Sequence, residues 1–474
     1  MMRAVCRAAF MVAWLFPWAA GASDEERTLR FEDVKRSVAE HDPRIREAIG
    51  QLQAAEGDVM AARGAFDPRI EGDGKILTGG YYDLRDANVE VRQPTTVWGS
   101  EVFLGYRVGL ANNDRWPTYR DNETLSGGEV RAGIDVPIWR GGMIDEERAR
   151  RSRAIRLEEA AGYALSATEL DLELAAAKAY WSWVRAGQSR VVAADLMHLA
   201  EERDSQLRRR LAAGSIAEFD VVDNERILLE RQSILVGAER ALEQASYELS
   251  LFLRDANGNS VLPRPEQLPA ATELESFEPI ASEIIIDQVL RCHPELNEAR
   301  AELEAIEVDR ALARNRLAPE IRAYFEYSRD LGELTGTTFD FTLPGNVYET
   351  GVVLSMPLLF RSDRGRARSA LAKVEVKRAN VRFLEDQLRA RTRDAASGLR
   401  AAEARVGLAE GMVRTAAELE KGERRRFEVG SSNLVFVNLR EQQAALARVK
   451  YIDAVAVSAV ERTRWEVTTD VTCN

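Results

Sequence analysis

The sequence VEVKRANVRFLEDQLRARTRDAASGLRA, residues 374–401, decides the fold of this chain. Each of its four heptads begins with an apolar residue, in the order Val374, Val381, Leu388 and Ala395. An apolar residue at every seventh position is typical of a long helix that packs along a seam. The helical pattern runs from about Arg364 to Gly430, which predicts a helix of roughly 100 Å at about 1.5 Å per residue. A single globular core does not need a helix of this length.

A second long helical pattern begins near Asp145 and ends in the same way as the first. Residues 208–215 read RRRLAAGS, and residues 424–431 read RRRFEVGS. Other segments also occur twice: DPRIREA at 42–48 resembles HPELNEA at 293–299, and GIDVPI at 133–138 resembles VLSMPL at 353–358. Matches of this kind indicate an internal tandem repeat. The second copy is the shorter one, mostly because the first has extra residues between Ile70 and Gly133.

The repeat gives a division of the chain into four parts. The first seven residues carry a net positive charge from Arg3 and Arg7, an apolar run follows to Ala20, and small residues at 20–22 fit a signal peptidase site. Residues 1–22 are therefore expected to be a cleaved signal peptide, so that the mature chain starts near Ser23. Residues 23–256 form the first repeat, the proline-rich residues 257–280 a linker, and residues 281–474 the second repeat.

Composition excludes several classes of protein. Without Arg3 and Arg7 the chain has 63 basic (65 − 2) against 77 acidic side chains, which argues against nucleic acid as a partner. After the signal peptide no apolar stretch approaches the length of a transmembrane helix. Cys292 and Cys473 are too few for a disulfide framework, and whether they pair is left open.

Each copy changes from the helical period to the alternation of β-strands. Apolar residues alternate through 102–110 and 130–138 in the first copy, and around 323–327 and 352–358 in the second. This predicts two strands per copy and four per chain. Aromatic residues are concentrated in the same regions, as in the interfacial girdles of a transmembrane barrel. From the strands alone, a small globular sheet domain fits equally well.

No pattern of catalytic residues is present. His41, His198 and His293 do not have metal-ligand spacing, and the fingerprints of nucleotide, dinucleotide and serine-hydrolase sites are absent. The sequence therefore predicts a protein that is not an enzyme and that has no cofactor and no metal site. A hydrolase with an unfamiliar site is disfavoured for the same reason.

Together, the signal segment, the tandem repeat, the long helices and the glycine turns resemble the TolC family of outer-membrane efflux proteins. The resemblance implies a mixed α and β fold, in which a long antiparallel coiled-coil helical barrel continues a transmembrane β-barrel. Three protomers would share one 12-stranded barrel, with four strands each. It also implies a cell outer-membrane location, with the helical part in the periplasm, and contact with outer-membrane lipid. The implied partners are a periplasmic adaptor protein and an inner-membrane transporter.

The resemblance also implies roles for residues at and after the two turns. Glycine permits the positive φ that a tight reversal between helices requires, which is a sufficient structural reason for Gly214 and Gly430. The family pattern assigns both glycines to the tips that dock to the adaptor. It assigns their neighbours to the same tips: Arg210, Ser215, Arg426, Phe427 and Ser431. The family's gate aspartates, six and nine residues past the turn glycine, correspond to Asp220 and Asp223 in the first copy. The second copy has Phe436 and Leu439 there, and Phe436 is expected to act as an apolar constriction.

The function expected from these features is a passive trimeric outer-membrane channel in a tripartite efflux or secretion system. The alternative is a soluble periplasmic coiled-coil scaffold or adaptor, which would require the strands to form a globular domain. Membrane fractionation distinguishes the two.

Overall fold

A computed structural model describes residues 28–78, 84–111, 124–269, 281–332 and 345–471. The predicted signal peptide and Cys473 lie outside these ranges. The helices are α1 (Phe31–His41), α2 (Pro43–Gly64), α3 (Glu146–Ala212), α4 (Glu218–Ser250), α5 (Glu283–Cys292), α6 (Pro294–Asn315), α7 (Arg361–Glu428) and α8 (Leu434–Thr469). The strands are β1 (Arg69–Leu77), β2 (Leu84–Pro94), β3 (Glu101–Ala111), β4 (Glu129–Pro137), β5 (Glu320–Asp330) and β6 (Val347–Ser355). In both halves the order is a short helix, a second helix, strands, a very long helix and a returning helix.

All six strands form one antiparallel sheet in the order β1-β2-β3-β4-β5-β6. The first half supplies four of them, so the prediction of two strands per copy, and thus four per chain, is wrong. The repeat matches show where the addition lies. Pro68 corresponds to Pro319 just before β1 and β5, and Pro137 at the end of β4 corresponds to Pro357 just after β6. The β2–β3 hairpin is therefore the inserted element.

The helices form a layer four helices wide. Helices α2 and α4 lie end to end along α3, and α6 and α8 lie end to end along α7. Because α3 also contacts both α6 and α8, the order across the layer is α4–α3–α8–α7 near the glycine turns and α2–α3–α6–α7 near the sheet. Within the described ranges, no helix is both long enough and apolar enough to cross a membrane.

The heptad seam is confirmed by burial. Val374, Val381, Leu388, Ala395 and Ala402 are all buried along α7, which is 68 residues long. Helix α3 is almost the same length, at 67 residues, and begins where the side chain of Asp145 accepts a hydrogen bond from the Arg148 amide. These lengths correspond to roughly 100 Å each.

The first helical segment of each copy is divided into two helices at a proline. Asp42 and His293 have extended conformations, with ψ of 127° and 125°, and each precedes a proline at the first position of the next helix. A proline disfavours the helical conformation of the residue before it, and its missing amide is tolerated only in a first turn. The chain therefore restarts a helix at Pro43 and at Pro294.

The described part of the linker packs across the middle of α3. The amide of Gln188 donates to the carbonyl of Pro269 at 2.6 Å, and Leu268 lies directly against Gly187. Close to this crossing, Tyr180, Trp181 and Trp183 are buried in the largest apolar cluster. Cys292, at the end of α5, is disulfide-bonded.

Candidate functional site

The six-stranded sheet has one apolar and one charged face. In register, Ile70 of β1 lies opposite Val91 of β2, and Val91 lies opposite Leu104 of β3. The apolar face continues across β4, β5 and β6 through Ala132, Ile134, Phe325, Val352 and Leu354. Because side chains alternate along each strand, the intervening residues all point to the other side.

The apolar face is the exposed one. Ile70 is 77% exposed, Leu104 59%, Val352 67% and Leu354 63%. The charged face is sheltered over the middle strands β2 to β4, where Asp86, Glu90 and Glu129 are buried. A protein that folds in water arranges its residues the other way round, with apolar groups inside. An exposed apolar face of this extent indicates an apolar environment or a protein partner.

Ion pairs link neighbouring strands on the charged face. Arg92 of β2 donates to Glu101 of β3 at 2.8 Å, and Arg107 of β3 donates to Glu129 of β4 at 2.5 Å. Across β4 and β5, Arg131 donates to Glu326 at 2.6 Å, and Arg322 donates to Asp135 at 2.9 Å. These pairs compensate charges that would otherwise be costly to shelter from water.

Aromatic residues on the apolar face lie toward the end of the sheet away from the helices. The rings of Tyr327 and Tyr348 are 5.3 Å apart, and those of Phe325 and Tyr348 are 6.5 Å apart. Tyr and Trp with one apolar and one polar side suit the boundary between lipid and water. The strands are 9 or 11 residues long, which is the length a tilted transmembrane strand requires.

At the other end of the molecule, the two glycine turns have the same geometry. Gly214 has a φ of 67° and Gly430 a φ of 77°, so the predicted positive φ is confirmed at both. Ser215 donates to the carbonyl of Arg210 through its amide at 3.0 Å and its hydroxyl at 2.9 Å. Ser431 makes the same pair of bonds to Arg426, at 2.8 Å and 3.0 Å. These bonds satisfy a carbonyl at the end of each long helix.

Other residues predicted for the docking tips lie at the same end of the coils. Arg210, Ser215, Arg426 and Ser431 are exposed, whereas Phe427 is half-buried. The returning helices differ in their starts. The Asn433 side chain accepts a hydrogen bond from the Phe436 amide at 3.2 Å, whereas the corresponding Ala217 has no side-chain cap.

The predicted gate residues lie just beyond the turns. Asp220 is exposed in the first turn of α4, and Phe436 is 52% exposed on α8. Asp223 is half-buried and forms an ion pair with Arg226 at 3.3 Å, which offsets part of its charge. It lines a cavity of about 420 Å³ together with Val435 and Leu439 of α8. Asp223 and the start of α8 thus face the same groove.

A buried charge cluster ties the four helices of the layer together near the turns. Glu441 of α8 is only 1% exposed and accepts hydrogen bonds from Arg203 of α3 and, at 3.0 Å, from Arg231 of α4. Arg424 of α7 approaches the same carboxylate at 3.5 Å. Burial alone would raise the pKa of Glu441, but hydrogen bonds and charges from Arg203 and Arg231 outweigh it, so the pKa is lowered.

Sequence reasoning missed both this cluster and two of the strands. Arg203 and Glu441 are 238 positions apart in the sequence, and no local pattern relates the residues of the cluster. Strand β2 did carry a signal, because Ala87, Val89 and Val91 alternate with charged or polar residues. Among the described residues, no group of His, Cys, Asp and Glu could hold a metal ion.

Comparisons with known proteins agree with this architecture. Residues 285–457 match the sequence model of a family described as outer membrane efflux protein. The outer-membrane channel OprN superposes with a TM-score of 0.66 at 16% identity, over 93% of this chain and 90% of that one. The CmeC outer membrane channel of Campylobacter jejuni superposes with a TM-score of 0.65 at 13% identity, over 98% of this chain and 93% of that one. The outer membrane protein VceC of Vibrio cholerae superposes with a TM-score of 0.64 at 14% identity, over 94% of this chain and 97% of that one.

No curated protein sequence is similar enough to this chain to count as a match. At these low identities, the structural likeness shows the fold. The family match lies within the second repeat, which lacks the inserted hairpin. The resemblance to the TolC family of outer-membrane efflux proteins is thereby confirmed: residues 285–457 match the outer membrane efflux protein model, and nearly the whole chain has the fold of solved outer-membrane channels.

Proposed function

We propose that this protein is a trimeric outer-membrane channel that conducts substrate passively from the periplasm to the exterior. The observation that carries the proposal is the two-faced sheet, whose exposed apolar side suits lipid and whose sheltered side is charged. Lipid around the apolar face removes its contact with water, and a charged inner face suits an aqueous channel. The sheet continues directly into coils of roughly 100 Å, long enough to reach far into the periplasm.

We further propose that the coil tips dock to a periplasmic adaptor, and that an inner-membrane transporter supplies the energy. The twin turns support this, because Gly214 and Gly430 present equivalent exposed loops. In this arrangement residues 1–22 are the signal peptide, 23–256 and 281–474 are the two repeats, and 257–280 join them.

For the gate, we propose Asp220 and Asp223 as an acidic ring and Phe436 as an apolar constriction. All three lie within the first turns of the returning helices. A ring of carboxylates around one axis favours cations over anions. The ion pair between Asp223 and Arg226 makes Asp220 the larger contributor.

Membrane fractionation of the full-length protein tests the proposal. The protein is expected in the outer-membrane fraction, soluble only in detergent and with the mass of three chains. Its single-channel conductance in planar bilayers measures the pore directly. Recovery of a soluble monomer without detergent would contradict the proposal and favour the periplasmic scaffold.

A further inference from the structure

The six-stranded sheet has two free edges of equal length. Strand β1 at one edge and strand β6 at the other each have nine residues, and neither pairs on its outer side with another described strand. A long unpaired edge invites pairing with another chain. Six strands are also too few to close a barrel around a channel.

The two edges are complementary in direction. Strand β1 follows α2 and runs away from the helices, whereas β6 runs back toward them and leads to α7. When β1 of one chain lies beside β6 of another, the two are antiparallel, like every other pair in the sheet. The new pair therefore continues the existing pattern.

The two faces also continue across such a junction. On β1 the apolar face carries Ile70, Gly72, Gly74 and Ile76, and on β6 it carries Tyr348, Thr350, Val352 and Leu354. A shift of one residue would exchange the faces of a strand. Only registers that join even-numbered to even-numbered residues keep the lipid-facing side apolar, so the sequence restricts how the edges can meet.

The inserted hairpin is an integral part of the sheet. Its turn is fixed at the helical end, where the Trp98 ring packs on Gly142 and the Gln93 side chain donates to the Phe66 carbonyl at 2.5 Å. Arg92 connects three strands, with Glu71 of β1 at 3.3 Å and Glu101 of β3 at 2.8 Å. Leaving β1 and β2 out of a barrel would break these contacts and expose their charges to lipid.

The width of the sheet matches the width of the helical layer. Six strands spaced about 4.8 Å apart and tilted by about 40° span roughly 38 Å along the barrel circumference. Four helices at interaxial distances of about 8–10 Å span roughly 32–40 Å. Four strands would span only about 25 Å by the same geometry. The sheet of one chain thus covers the same arc as its coils.

We propose that three copies of this chain close an 18-stranded barrel in which β1 of each copy pairs with β6 of the next. This replaces the 12 strands implied by the family resemblance, and it rests on the proposed trimeric channel. The barrel is about 36 Å across between backbones, against about 24 Å for 12 strands. Its cross-section is roughly twice as large, and the inward side carries the ion-paired residues of the charged face.

Disulfide cross-linking tests which strands meet between chains. The variant Ile70→Cys/Leu354→Cys joins β1 to β6 on the apolar face, and Ile70→Cys/Val352→Cys covers the neighbouring register. Paired residues on antiparallel strands have Cα atoms about 4.5–5.5 Å apart, which a disulfide can bridge. Within one chain, these positions are separated by four intervening strands. Oxidation of the purified trimer is expected to give covalent trimers on a denaturing, non-reducing gel.

Two further variants serve as controls. Ile70→Cys/Val353→Cys places the thiols on opposite faces and is expected to give no covalent trimer. Val102→Cys/Leu354→Cys joins β3 to β6, as a 12-stranded barrel that omits β1 and β2 would require. Each reduced variant is first confirmed as a detergent-solubilised trimer, which shows that the substitutions leave the fold intact.

The outcomes separate this proposal from the proposed function. Covalent trimers from the β1–β6 variants alone support 18 strands. Cross-linking through Val102, or a trimer that none of the β1–β6 variants cross-links, overturns the 18-stranded barrel and leaves the channel standing. A wild-type protein that is monomeric in detergent overturns both.

Discussion

Replacing Val352 with arginine places a charge on the proposed lipid-facing side of β6. Val352 is 67% exposed, lies opposite Ala323 of β5, and is the sixth residue of a nine-residue strand. An arginine on the lipid side of a membrane strand costs about 2–4 kcal/mol at the midplane and about 0–1 kcal/mol near the interfaces. We therefore expect Val352→Arg to cost about 2 kcal/mol per chain, or roughly 6 kcal/mol for three copies.

The neighbouring Val353 provides a matched control. It is 52% exposed on the charged face, opposite Arg322 in the ladder. A like charge directly across a strand pair costs only roughly 0.2–1 kcal/mol. The assay is the amount of folded trimer in the outer membrane, together with its midpoint of thermal dissociation in detergent. Equal losses for both variants, or a larger loss for Val353→Arg, would refute the assignment of the faces.

Gly430→Val is expected to impair export while trimers still assemble, because a β-branched residue at positive φ costs about 1 kcal/mol or more locally; efflux and trimer level are measured together, and loss of trimers would show that the turn is needed for folding. Asp220→Ala/Asp223→Ala is expected to reduce cation selectivity in single-channel recordings, and unchanged selectivity would refute the gate. Glu441→Gln is expected to destabilise the packing of the coil tips by about 3–5 kcal/mol, since it leaves buried arginines uncompensated. Limited proteolysis of the tips measures the destabilisation, and resistance equal to that of the wild type would contradict it. Because the folded-state pKa of Glu441 is lowered, its stabilisation is complete above the unfolded pKa of about 4.3 and is lost as the pH falls through the folded value. Proteolysis of the tips should therefore increase in acid in the wild type, and much less in Glu441→Gln.

The candidate sites differed in how far the sequence could predict them. The turns were predictable because positive φ at Gly214 and Gly430 is a local property that one residue type satisfies. The cluster around Glu441 was not, because it joins side chains from four helices. Which arginine meets that carboxylate depends on how the helices are aligned, and heptad spacing does not specify the alignment.

The sequence by itself determined the coils and their ends. An apolar residue at every seventh position, from Val374 to Ala402, could bury itself only along a helix seam, and all of these residues are buried. It also determined the helix restarts at Pro43 and Pro294. A proline acts on its immediate neighbours, so the physical cause lies within a few residues.

Only the tertiary structure decided the number of strands. In β1, glycines occupy half of the apolar face, at Gly72 and Gly74, so the strand has little apolar signal of its own. It becomes a strand because β2 pairs with it and supplies Val89 opposite Gly72 and Val91 opposite Ile70. Cross-strand partners, rather than the intrinsic preference of one segment, stabilise a sheet. The long helices carry their fold in their own period, whereas each strand here depends on its neighbours.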